Sequence, residues 1–141
     1  MNEEEIGTLT LDAAFAVHRE LGPGLLESVY EAAMIVELRH LGLQPEQQVP
    51  IPVTYRKENL RVSFRADIIV NRLVLVELKS VESISPVFKK TTLNYLRLIP
   101  LRLGFLINFN ETLLKNGITR IANDLTDSNY TSERLSHDSS Q

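Results

Sequence analysis

Apolar residues recur at helical spacing in the first third of the chain and at strand spacing beyond it. Over residues 9–21, Leu11, Ala14, Phe15, His18 and Leu21 fall on one helical face. Gly22, Pro23 and Gly24 stop that helix. A second helix is expected over 25–41, with Leu26, Val29, Tyr30, Ala33, Val36 and Leu41 as its buried stripe and Gly42 as its C-terminal cap. Residues 48–55 carry Pro50 and Pro52 and read as an edge strand. Over 60–70 the period becomes two. Leu60, Val62, Phe64, Ala66, Ile68 and Val70 point one way, and Arg61, Ser63, Arg65 and Asp67 the other. Residues 73–79 are nearly continuously apolar, as a central strand is.

Ser85 is placed to cap a helix that starts with Pro86, where a missing N–H costs little, and Pro100 ends it. Residues 101–109 form another buried strand and 117–123 a short last one. This order predicts an α/β fold with a mixed central sheet flanked by helices. The strands at 73–79 and 101–109 should be parallel, joined by a right-handed crossover. Residues 1–8 are expected to be a flexible N-terminus and 9–123 a single domain. Residues 124–141 are polar and aperiodic and are expected to be a disordered tail.

Composition narrows the class. The chain has 141 residues, enough for one domain that buries roughly 70% of its unfolded surface. It has no cysteine, which excludes disulfides and thiolate metal sites and fits a reducing cytoplasm. No apolar run reaches the ~18 residues of a membrane span, and the acidic start is not a secretory signal. Net charge is −3 but unevenly spread. Residues 1–54 carry −7, residues 55–120 carry +7 and residues 121–141 carry −3. A basic middle segment suits a polyanion-binding face, although cations scattered over a solvated surface give the same count.

The chemistry gathers at the end of the strand 73–79. Glu77 and Lys79 are two residues apart and so share a face, while Val74, Val76 and Leu78 make the other face wholly apolar. A buried carboxylate is costly unless it is paired or binds a metal. One reading is a Glu–Lys pair closing the sheet end. Asp67 adds a second carboxylate, depending on register. A two-residue 71–72 loop would set Asp67 opposite Val76, facing away from Glu77. A three-residue loop or a bulge shifts the register by one, and that shift is the one expected. Asp67, Glu77 and Lys79 then share a face, with Arg61 and Arg65 continuing it along a path for a phosphate backbone. Two carboxylates on adjacent strands form a hard-oxygen site for Mg²⁺ or Mn²⁺, with the Leu78 carbonyl as a third ligand. Lys79 beside it would orient or deprotonate an attacking water.

Asp67 followed after nine residues by Glu77-Leu78-Lys79 resembles the PD-(D/E)XK nuclease superfamily, with Ala66 in place of the proline. "GLLESVY" at 24–30 is similar to the GxxExxY motif that names a family of small bacterial proteins within it. "FRADIIV", "VELKS", "LNYLR" and "LGFLINF" follow in the same order, so the likeness covers about residues 10–122. The resemblance implies a restriction-endonuclease-like three-layer core and a metal-dependent nuclease acting on nucleic acid, DNA above all. It implies Glu27, Asp67, Glu77 and Lys79 as catalytic, with Glu27 reaching the metal directly or through water. Glu27 is also simply an acid in a first helical turn, where the macrodipole favours it. Tyr30 would hold the Glu27 carboxylate or pack beneath the site. Small nucleases of this fold often pair, and the apolar edge "VPIPV" at 49–53 could serve a homodimer.

Two positions depart from the family pattern. Thr91 stands where a glutamine is usual, four residues before Tyr95, and Phe88 where a histidine is often found. Lys89, Lys90 and Arg97 on the same helix could supply phosphate contacts instead, or form a solvated face. These departures support an alternative reading, a catalytically weak or inactive nuclease-fold module that binds nucleic acid or a protein partner. His18 reads as a hydrogen-bonded core residue. His40 suits a helix C-terminus, and His137 lies in the tail.

Overall fold

The computed structural model describes residues 1–124. The tail expected beyond 124, with His137, lies outside the described residues. Three helices and five strands run in the order α1 (Glu3–Leu21), α2 (Glu27–His40), β1 (Pro45–Tyr55), β2 (Glu58–Val70), β3 (Val74–Lys79), α3 (Pro86–Leu98), β4 (Leu103–Asn108) and β5 (Ile118–Ala122). The strands form one sheet in sequential order. β3 and β4 are parallel, as the crossover requires, and every other neighbouring pair is antiparallel. α1 and α2 cover one face of the sheet and α3 the other, giving the three-layer, restriction-endonuclease-like α/β architecture.

The first helix begins six residues earlier than its apolar pattern suggests. Asn2 accepts the Glu5 N–H at 2.9 Å, and Glu3, Glu4 and Glu5 fill the first turn, where the helix dipole favours acids. Ile6 is fully buried, and Glu4 pairs with Arg120 of β5. The stretch 1–8, expected to be flexible, is therefore tied to the domain. Gly22, at φ +67°, ends the helix with its N–H on the His18 carbonyl.

α2 is rotated relative to the expected stripe. Tyr30, Met34, Ile35 and Leu38 are buried, whereas Leu26, Val29, Val36 and Leu41 are exposed. Apolar residues occur all around this helix, so periodicity could not choose the face. Packing on Phe109 chooses it: the Tyr30 ring stacks there at 4.6 Å.

The two faces of β3 separate as its sequence predicts. Val74, Val76 and Leu78 join the core under α1 and α2, and Leu75 joins the core under α3. β2 does not keep one alternation. Ile68 and Val70 face α1 and α2, yet both Ala66 and Ile69 lie in the α3 core. The break falls at Asp67. The partner strand is irregular at the same level, where Gln48 has φ +49°. Beyond it the β1–β2 hairpin runs past the helices. Leu60, Val62 and Phe64, expected to face a core, are exposed, with Phe64 at the edge of α3 against Tyr95.

Candidate active site where β2 leaves β3

The β2–β3 ladder pairs Val70 with Val74, Ile69 with Leu75 and Ile68 with Val76, then stops. This is the register of a three-residue loop, 71–73, and it brings Asp67 level with Glu77. At that level side chains replace the ladder. The Asp67 N–H donates to Glu77 Oε2 at 2.7 Å, and the Leu78 N–H donates to Asp67 Oδ2 at 2.8 Å. Each carboxylate therefore commits one oxygen to the opposite backbone. In an extended strand the N–H and C=O of one residue leave on the same side, so the Leu78 carbonyl also faces the gap.

Glu77 is only 8% exposed. Burial pushes its carboxyl up to about 8, and the negative Asp67 beside it adds to the rise. The Asp67 N–H and Lys79 oppose the shift without cancelling it. Lys79 shares the α3 face with Glu77, and its Nζ sits 4.5 Å over the Phe88 ring. Phe88 is thus the platform under the candidate catalytic ammonium.

Glu27 is the first residue of α2 and is exposed. Its loop is pinned to the site end of β3, because Ser80 Oγ donates to the Leu25 carbonyl at 2.6 Å. Tyr30 holds the same loop: its hydroxyl donates to Gly22 O at 2.6 Å and accepts the Leu25 N–H at 3.1 Å. Tyr30 therefore fixes the loop that leads into Glu27. No hydrogen bond links its hydroxyl to that carboxylate. Among the described residues no three acids or histidines stand together as a metal cluster, so Glu27 is not drawn into one shell with Asp67 and Glu77. The α2 acid that connects to Asp67 is Glu31, one turn on. Gln48 Nε2 lies 2.8 Å from Glu31 Oε1 and 3.4 Å from Asp67 Oδ1, and Gln47 donates to the other Glu31 oxygen at 3.0 Å. Sequence reading missed Gln48 and Glu31; the only signal was a pair of glutamines entering an edge strand.

The cations divide. Arg65 Nη1 donates to the Gln48 carbonyl at 3.3 Å, beside Asp67. Arg61 has φ +56° near the register shift at Pro52 and Thr54, about 20 Å along the hairpin from Asp67 at ~3.3 Å per residue. The expected simple line of Arg61, Arg65 and Asp67 is therefore broken twice, at Arg61 and at Asp67. Lys90 and Arg97 are exposed on α3, and Lys89 is partly buried there.

Tyr95 is raised from its ordinary phenol value by burial first and then by the negative Glu77 and Asp67. It also meets the Phe64 ring at 5.1 Å. Thr91, Asn94, Tyr95, Arg97, Leu98 and Phe64 line a hollow of ≈ 400 Å³. Thr91 thus borders open space where the family's usual glutamine would reach. His18 bonds the Glu111 carbonyl at 2.8 Å, in the structural role expected of it.

The sequence model of the PD-(D/E)XK nuclease superfamily matches residues 4–121. This chain belongs to that superfamily. No curated protein matches it. Among solved structures, the crystal structure of SSO0001 is similar at 17% identity and a TM-score of 0.49. The match covers 96% of this chain and 66% of that one. Asp67, Glu77 and Lys79, whose spacing resembles the motif that names this superfamily, stand where the β2–β3 ladder stops.

Proposed function

We propose that this protein is a divalent-metal-dependent nuclease of the GxxExxY kind that hydrolyses phosphodiester bonds in DNA, in a bacterial cytoplasm. The observation that carries the reading is the reciprocal bonding of Asp67 and Glu77 across the gap between β2 and β3. Two carboxylates and a carbonyl converging on one gap are the donor set of a hard cation, Mg²⁺ or Mn²⁺. The electrostatics fit as well. A carboxyl raised by burial and by a like-charged neighbour is one that a cation would return to its charged form.

Asp67, Glu77 and the Leu78 carbonyl would hold the metal, with Glu27 joining through water from the pinned loop. Bound there, the cation would supply Lewis acidity toward the phosphate and lower the pKa of a water. Lys79, steadied over Phe88, would orient that water and offset charge developing on the phosphate oxygens. Gln48, with Glu31 behind it, would fix the Asp67 carboxylate. Arg65, Lys89, Lys90 and Arg97 would hold the flanking phosphates, with Arg61 further out on the hairpin.

The test has two arms. Calorimetric titration with Mg²⁺ and with Mn²⁺ should show saturable binding in the wild type that Asp67→Asn abolishes. A cleavage screen over DNA and RNA forms should show activity that Lys79→Ala removes while nucleic-acid binding persists. Cleavage indifferent to Lys79→Ala would overturn the reading. Absence of metal binding, even with DNA present, would favour the alternative of a non-cutting module. Phe88 and Thr91 at the family's usual histidine and glutamine positions favour that alternative.

A further inference from the structure

The outer half of the β1–β2 hairpin lies beyond the carboxylates of the candidate site. It projects beyond α3 with its α3-side face uncovered. Val62 is 59% exposed and Phe64 43%, and Leu60 and Tyr55 are exposed toward its end. An uncovered apolar face on a folded domain marks an interaction surface. Here it adjoins the ≈ 400 Å³ hollow under Phe64 and Tyr95, a volume within the roughly 300–1,000 Å³ range that holds small ligands.

The charge around this face selects the occupant. Over residues 55–65 the hairpin carries Arg56, Lys57, Arg61 and Arg65 against Glu58 alone. The Arg56 guanidinium lies 5.6 Å over the Tyr55 ring, and Arg97 lines the hollow. Exposed rings interleaved with cations are the layout that binds unpaired nucleic acid, with bases stacking on rings and phosphates meeting cations. A duplex offers no base faces to such rings, because its bases are stacked on one another. A second copy of this chain seated two-fold on the same face would bring its own cations against these, which electrostatic complementarity disfavours.

We propose that this hollow and the hairpin face beside it bind an unpaired stretch of DNA, with one base stacked on Phe64 next to Tyr95 and its phosphate on Arg97. The proposal rests on the reading of the chain as acting on nucleic acid and names the strand form it takes. α3 connects the two sites, since it carries Phe88 under Lys79 and, seven residues on, Tyr95 in the lining of the hollow. A strand lying in the hollow would thus continue across the carboxylates.

The test is fluorescence anisotropy in EDTA, where no cleavage occurs, with labelled oligothymidylate, its duplex with oligoadenylate, and oligouridylate. The wild type should bind oligothymidylate more tightly than the duplex. Phe64→Ala should weaken that binding roughly 5- to 150-fold, the range of one lost base–aromatic stack, and leave duplex binding nearly unchanged. Phe64→Trp should restore it, with indole fluorescence quenched on binding. Arg97→Gln should lower the salt slope by about one phosphate contact. Equal affinity of wild type and Phe64→Ala, or tighter binding to the duplex, would overturn the proposal, and tighter binding to oligouridylate would overturn its assignment to DNA. So would sedimentation showing a wild-type dimer that Phe64→Ala dissociates. A chain that cuts nothing yet shows the Phe64 dependence would defeat only the nuclease reading. A chain that cuts but binds regardless of Phe64 would defeat only this one.

Discussion

Glu77→Gln removes a charge that the fold resists while keeping an amide oxygen to accept the Asp67 N–H. In the folded chain the Glu77 carboxyl is raised from 4.5 to about 8. The folded state therefore holds this proton more tightly than the unfolded state. Stability from this group is fully present below pH 4.5 and is lost as pH rises through about 8. A shift of roughly 3.5 units at ~1.36 kcal/mol each sets a ceiling near 5 kcal/mol, and a realised value of about 2–5 kcal/mol is expected. The assay is urea denaturation in EDTA at a series of pH values from about 5 to 9, followed by circular dichroism. Near pH 5 wild type and variant should be close, because both are neutral at this position. By about pH 8.5 the variant should lead by that 2–5 kcal/mol. The difference between the two curves isolates the Glu77–Asp67 pair from the other titrating groups. Mg²⁺ should flatten the wild-type slope, since a bound cation favours the charged carboxyl. A wild-type-minus-variant difference that does not change with pH, or that changes in the wild type's favour as pH rises, would refute the reasoning.

Three further substitutions test how the site is held. Tyr30→Phe removes the hydroxyl that bonds Gly22 O and Leu25 N while keeping the ring on Phe109. It should cost about 1–3 kcal/mol in denaturant unfolding and loosen loop 22–25 in hydrogen exchange. Asn108→Ala should cost about 2–3 kcal/mol, read as a lower thermal midpoint, because the buried amide bonds both Val81 N and Val81 O and also Asn110 N. Asn2→Ala deletes the cap of α1 and should cost about 0.5–2 kcal/mol by the same measurement, whereas a flexible N-terminus would register no change.

The element order and the register at Asp67 were legible because each rests on a local rule. Period two and continuous apolarity mark β2 and β3, Ser85-Pro86 marks the start of α3, and loop length sets which face Asp67 takes. Three misreadings share one cause: tertiary partners absent from any local window. The rotation of α2 depends on Phe109, about eighty residues away in sequence. The exposure of Leu60, Val62 and Phe64 depends on α3 being shorter than the hairpin it packs against. The Gln48 bridge depends on β1 lying beside both α2 and Asp67. Capping of α1 by Asn2 was open to local reading, but the apolar pattern begins later than the helix. Motif reading singled out Glu27, Asp67, Glu77 and Lys79; Asp67, Glu77 and Lys79 lie where the β2–β3 ladder stops, and Glu27 starts α2.

That opening explains why one short sequence carries both the candidate chemistry and the uncovered face. Were the β2–β3 ladder to continue past Ile68, the Asp67 and Leu78 N–H groups would bond backbone carbonyls, and no carboxylate would be needed there. Because the ladder stops, two N–H donors need acceptors, and Asp67 and Glu77 supply them from opposite strands. The same break reverses the alternation of β2, which sends Ala66 and Phe64 to the α3 side. A residue inserted or deleted in loop 71–73 would shift the β2–β3 register by one and set Asp67 and Glu77 on opposite faces, while Phe64 and the hairpin would stay as they are. Such a variant should lose metal binding and keep the Phe64-dependent affinity for an unpaired strand. The carboxylate pair depends on β2–β3 register, and the stacking face depends on β1–β2 pairing, so the two should fail independently.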